Sequence, residues 1–214
     1  MRFDMAADRL SPLPDPLPEP AAVMMPVVVG DSVRMPAAPR TGRTGRPAAV
    51  LVLLYPDPQG EARVVLIERT TGDGHHSGEV SFPGGKAEPE DADAAATALR
   101  EASEEVALDT VAAGVRVVGR LDPMWIPVSD FEVTPVVALA ERPPRLAASP
   151  FEVARIIEPS VARFLPDAPV LMVERTIRDW PLRYGSYDLD GLSVWGATAR
   201  ILSQLGAVLA DPAR

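Results

Sequence analysis

The sequence predicts an α/β fold, and three observations carry that prediction. The Val/Leu-rich run Ala48–Tyr55 ends in the breaker cluster Pro56-Asp57-Pro58-Gln59-Gly60, and a second apolar run, Ala62–Arg69, follows it as a hairpin partner. Ala95, Leu99, Ala102 and Val106 recur at helical spacing, which places an amphipathic helix after the Pro83-Gly84-Gly85 turn. The stretch Trp195–Leu209, rich in Ala, Leu and Ile, reads as a terminal helix.

The chain of 214 residues fits one domain with a generous tail, or two small domains. Residues 1–45 hold many of the 24 prolines, densest over Ser11–Pro18, and proline at that density blocks helix and sheet interiors. They are expected to form an extended arm, with the body over residues 46–210. Arg40–Arg46 is a basic, glycine-bearing loop, either a solvated linker or a phosphate contact. Thr71–Gly78 is a polar loop with the only two histidines, His75 and His76, and Gly78–Phe82 is a short strand feeding the glycine turn.

Beyond the amphipathic helix, Val111–Leu121 reads as a strand and Asp122–Asp130 as a loop. Trp125 in that loop either stacks on a substrate or covers a core edge. Phe131–Ala140 is a strand whose Thr134-Pro135 suggests an edge or bulge. Glu141–Pro150 is a Pro-rich loop, and Phe151–Ile157 is a short strand. Ser160 caps a short helix ending at Leu165. Val170–Asp179 and Leu182–Leu189 form a closing hairpin around Trp180-Pro181.

Net charge is −9 and the pI is about 4.8, which argues against nucleic acid or an anionic membrane surface as partner. The chain has no cysteine, so disulfides, thiolate metal sites and Cys nucleophiles are excluded. No basic start leads into a long apolar run, and no apolar run is long enough to span a bilayer. The expected setting is cytoplasmic.

The chemistry is concentrated on the helix. Glu101, Glu104 and Glu105 stand at i, i+3 and i+4, inside an arc of roughly 100°. Two unit charges ~4 Å apart repel by about 4 kcal/mol at an effective dielectric near 20. A divalent cation removes that cost, and Mg²⁺ takes one or two carboxylates plus waters and substrate phosphates. A bare E-x-x-E-E is ordinarily a solvated face; the adjoining Pro-Gly-Gly turn and Arg100 turn the reading toward a cation site. Arg100 lies four residues before Glu104 and can hold its rotamer.

The stretch Gly85–Leu108 resembles the Nudix box, G-x5-E-x7-R-E-U-x-E-E-x-G-U, where U is bulky and aliphatic. Arg100-Glu101-Ala102-Ser103-Glu104-Glu105-Val106-Ala107-Leu108 matches its second half, and Gly85 its first position. Asp91 stands where the first Glu is expected, eight residues separate it from Arg100, and Ala107 replaces the last Gly. Val65–Thr70, His76–Lys86, Thr97–Ala102 and Val194–Leu202 further resemble coenzyme A diphosphatases, although Asp73-Gly74 replaces that subgroup's Leu-Arg or Leu-Lys pair.

The resemblance implies a mixed β-sheet sandwiched between the loop-helix-loop box and the terminal helix. It implies Mg²⁺ or Mn²⁺ on Glu101, Glu104 and Glu105, with the Gly85 carbonyl as a further ligand. It places Arg69 and His76 near the substrate, with Phe82 and Trp125 as further candidate contacts. Glu152 is the candidate general base, with Asp130, Glu132 and Glu158 in competition. The implied reaction is hydrolysis of a small diphosphate substrate, with coenzyme A giving 3′,5′-ADP and 4′-phosphopantetheine. Two alternatives stand beside it: a general pyrophosphatase for ADP-ribose, NADH or nucleoside triphosphates, and a nucleotide-binding module without turnover. Relatives of this kind are often dimers, so a homodimer is open.

Overall fold

The computed structural model describes residues 1–30, 45–70, 78–177 and 180–210. In chain order these form α1 (Phe3–Leu10), a 3-10 turn (Ala22–Met24), β1 (Val27–Val28), β2 (Arg46–Pro56), β3 (Ala62–Val64), β4 (Leu66–Arg69), β5 (Val80–Ser81) and β6 (Gly84–Lys86). Then come α2 (Ala94–Val106), α3 (Thr110–Ala113), β7 (Val115–Arg120), β8 (Met124–Ile126), β9 (Phe131–Ala140) and β10 (Val153–Ile157). A second 3-10 turn (Val161–Phe164), β11 (Leu171–Ile177), β12 (Trp180–Leu189), β13 (Leu192–Val194) and α4 (Gly196–Ala210) complete the chain.

The central sheet is mixed. Its long strands β2 and β9 run parallel, from Arg46 opposite Phe131 to Leu54 opposite Leu139. Antiparallel β6 and β3 share the outer edge of β2, while β7 and β8 share that of β9. Side chains alternate across a strand, so β2 feeds two cores. Ala49, Leu51, Leu53 and Tyr55 pack with Ala98, Ala102 and Val106 of α2. Ala48, Val52 and Leu54 pack with Leu202, Leu205 and Leu209 of α4 and with Ala6 and Leu10 of α1. The sheet therefore lies between the box helix and the terminal helix, as the resemblance implied. Two smaller sheets, β10-β4-β5 and β1-β12-β11 with β13 on β12, flank it.

Several expectations are corrected. The N-terminal segment is not extended throughout: α1 forms before the first proline, Pro12, and buries Ala6 and Leu10 completely. Leu13 then lies over Gly119 of β7, and Met24 is fully buried. The run Ala62–Arg69 is two strands, since β3 pairs with β2 whereas β4 leaves it for β10 and β5. The start of the expected strand Val111–Leu121 is helical. Asp109 accepts from the N–H groups of Val111 and Ala112, and Gly114 ends the helix at φ +66°. The glycine turn is itself a strand, β6, paired with β2.

Candidate active site

Helix α2 begins at Asp93, whose side chain accepts from the Ala96 N–H at 2.9 Å. Ala98, Ala102 and Val106 seat it on β2. It ends at Ala107, which takes the left-handed conformation at φ +53°. This register turns its three glutamates to different environments.

Glu105 is 1% exposed. Its Oε2 accepts from the Gly84 N–H at 2.8 Å, and Arg69 Nη1 lies 3.1 Å from its Oε1. Burial pushes its carboxyl up to about 7, Arg69 and the Gly84 N–H oppose that rise, and Glu101 and Glu152 add to it. Glu101 is half-buried beneath β6. A Cβ on Gly85 would stand 2.5 Å from Glu101 Oε1, so only glycine lets the strand approach the carboxylate this closely. Burial raises Glu101 as well, Arg100 opposes it, and Glu104 and Glu152 contribute to the rise. Glu104 faces solvent.

Arg100 ties the box loop to the helix. Its Nε and Nη2 donate to the two oxygens of Asp91, each at 3.1 Å, a bidentate pair. Nη2 also meets the Lys86 carbonyl at 3.1 Å and Glu101 Oε1 at 3.0 Å, and Nη1 meets Glu104 Oε2 at 3.2 Å. The expected Arg100–Glu104 pairing is present, and it is one arm of a larger network. Asp91 is held down to about 2, first by Arg100 and then by the Glu88 N–H. The acidic residue of the box loop thus acts on the arginine.

Strands β4 and β10 bring in residues from outside the box. Arg69 is paired with Val153, and the Thr70 N–H donates to the Glu152 carbonyl at 3.0 Å. Glu152 is exposed beside the cluster, close enough for its charge to raise both Glu101 and Glu105. Its competitors stand elsewhere. Asp130 accepts the Trp125 indole N–H at 2.9 Å, Glu158 accepts the Tyr55 hydroxyl, and Glu132 pairs across the ladder with Trp125.

One expected substrate contact is placed differently. Phe82 is 1% exposed and sits in the core on the α4 side, so it has no surface to offer a substrate. Trp125 stands on β8 in a row that runs through Glu132 and Pro47 to Ala87. At ~4.8 Å per strand, that is about 14 Å from the exit of β6. His76, like His75, lies outside the described residues. Three contributors were missed: the Gly84 N–H, the Lys86 carbonyl and Asp91 as the anchor of Arg100. Backbone groups leave no side-chain pattern, and the Asp91–Arg100 pair crosses a loop without a fixed period.

The NUDIX domain family matches residues 45–148. Nudix hydrolase 15, mitochondrial, of Arabidopsis thaliana is 36% identical over 171 residues, covering 75% of this chain and 58% of that protein. The chain thus spans little more than half the length of that plant relative. The uncharacterized Nudix hydrolase NudL of Pectobacterium atrosepticum is 33% identical over 203 residues, covering 91% of this chain and 99% of that one. The chain belongs to the Nudix hydrolases. A crystal structure of the Nudix hydrolase RenU from M. smegmatis superposes with a TM-score of 0.46 at 22% identity, over 64% of this chain and 80% of that one.

The donor chemistry of this Nudix box suits a hard divalent ion. Two carboxylates, Glu101 and Glu105, are crowded and desolvated together, and Arg69 supplies the positive charge that Glu105 needs. Among the described residues no three acidic or histidine side chains are already gathered around one point. Mg²⁺ asks for only one or two carboxylates and completes its shell with water and phosphate. Among the described residues no helix is long and apolar enough to cross a membrane.

Proposed function

We propose that this chain hydrolyses the phosphoanhydride of a nucleoside diphosphate-linked substrate, with coenzyme A or its derivatives as the preferred class. The observation that carries this is the pair of half-buried Glu101 and buried Glu105 under a glycine strand, with Arg69 at its mouth. Glu101 and Glu105, assisted by Glu104 and the Gly85 carbonyl, would hold Mg²⁺ or Mn²⁺. Such an ion supplies charge neutralisation at phosphoryl oxygens and lowers the pKa of a bound water. The protein's share is positioning and electrostatics. Arg100 fixes Glu101 and Glu104 from one side. Arg69 offers a guanidinium to the diphosphate. Glu152, exposed beside the cluster, accepts the proton of the attacking water.

Coenzyme A is favoured by the resemblance of Val65–Thr70, His76–Lys86 and Val194–Leu202 to coenzyme A diphosphatases. The distance from β6 to Trp125 suits a substrate with two long arms. The departure at Asp73-Gly74 favours the broader alternative, a pyrophosphatase for ADP-ribose or NADH. A panel of coenzyme A, an acyl-coenzyme A, ADP-ribose, NADH and nucleoside triphosphates, each with Mg²⁺ or Mn²⁺, separates these readings. Fastest turnover of coenzyme A to 3′,5′-ADP supports the first. Fastest turnover of ADP-ribose supports the second, and binding without turnover rejects both.

A further inference from the structure

Glu105 has both carboxylate oxygens occupied within the protein. Oε2 is held by the backbone N–H of Gly84, inside a strand locked to β2. Oε1 faces the guanidinium of Arg69 at 3.1 Å. The two sides differ in exposure. Glu105 is 1% exposed, whereas the Arg69 side chain is 31% exposed. The Arg69 backbone is fixed, its N–H donating to the Glu79 carbonyl at 3.0 Å and its Cα paired with Val153. Only its side chain is free to leave. An ion that coordinates Glu105 through Oε1 must therefore take the place of this guanidinium.

We propose that Arg69 is an exchangeable internal counter-ion. It neutralises Glu105 in the metal-free protein, is displaced when a divalent cation binds, and then turns to the substrate diphosphate. This rests on the metal-dependent reading above and adds an order of events: cation first, anion second. Until the cation arrives, the guanidinium is engaged by a carboxylate and unavailable to phosphate. A tethered cation competing for Oε1 also weakens metal affinity, so removing it tightens the metal site while weakening substrate binding. A residue that merely supported Glu105 would do the reverse to the metal.

The test is a Mn²⁺ titration at pH 8.5, above the range in which Glu105 holds its proton, read as free Mn²⁺ by electron paramagnetic resonance, of the wild type and Arg69→Gln without substrate. The expected result is about tenfold tighter Mn²⁺ binding in Arg69→Gln, as follows when a close positive charge is withdrawn. KM for the diphosphate substrate should rise in the same variant. Equal or weaker Mn²⁺ binding by a folded Arg69→Gln overturns the exchange and leaves the metal reading standing. Mn²⁺ bound by neither protein overturns both. A second measurement avoids dependence on that variant's fold. The arginine Nε–Hε signal of Arg69, assigned by its loss in Arg69→Lys, is followed in the wild type as Mg²⁺ is added. It should shift at saturation; an unmoved signal overturns the exchange.

Discussion

At the residue scale, the three glutamates of α2 share one arc but not one environment. Their clustering was legible from i, i+3 and i+4 spacing, and so was Arg100 as a partner of Glu104. Burial was not, because it depends on β6 folding over the helix at Gly84 and Gly85. The consequence is measurable in the metal-free protein. Folded Glu105 keeps its proton up to about 7, against 4.5 for an ordinary glutamate. Between these values the folded form holds more protons than the unfolded one, so stability falls as pH rises through that window. The full loss is about 3 kcal/mol, complete above the folded value. Urea melts of the wild type and Glu105→Gln at pH 5 and pH 8, with a chelator present, should show the wild type losing more than the variant. Ala107 gives a second prediction. It sits at φ +53° where the family pattern has glycine. Ala107→Gly should stabilise the protein by about 0.5–1 kcal/mol, read as a small rise in Tm.

At the scale of elements, β6 joins the fold to the chemistry. It pairs with β2, supplies the Gly84 N–H to Glu105 and passes over Glu101. A Cβ on Gly84 would stand 2.4 Å from the Ala49 carbonyl oxygen. Gly84→Ala should therefore part β6 from β2 and cost about 3 kcal/mol or more in a denaturant melt. Loss of Mn²⁺ binding should accompany it. The sequence presented this segment as a turn because two glycines signal a break, yet here they permit close backbone approach. It also presented Ala62–Arg69 as one strand, since nothing in an unbroken apolar run marks where the chain leaves one sheet for another. That departure at Val65 carries Arg69 to β10, next to Glu152. The helix α3 was hidden by the β-branched Thr110 and Val111, and only Asp109 and Gly114 mark its ends.

At the scale of the whole molecule, the two-sided core of β2 was readable from its near-continuous apolar run, α2 from its periodicity, and α4 from its Ala, Leu and Ile content. The N-terminal segment was not, because its prolines masked a helix that ends before them. That segment is fastened to α4. Ala21 donates to Ser203 Oγ at 2.9 Å, Gln204 Nε2 donates to the Pro18 carbonyl at 3.2 Å, and Arg9 donates to the Leu209 carbonyl. With Ala6, Leu10 and Met24 fully buried, deletion of residues 1–25 should cost about 3–6 kcal/mol, seen as a lowered denaturation midpoint. The same fold places the carboxylate pair inward, beneath β6, and everything said of function depends on that orientation. The most direct test is the turnover of a nucleoside diphosphate-linked substrate at saturating Mn²⁺ by the wild type, Glu101→Gln and Glu105→Gln. Each variant should remain folded and lose at least about 100-fold in kcat, on the order of 3 kcal/mol of transition-state stabilisation. Turnover near the wild-type rate in either variant would contradict the account.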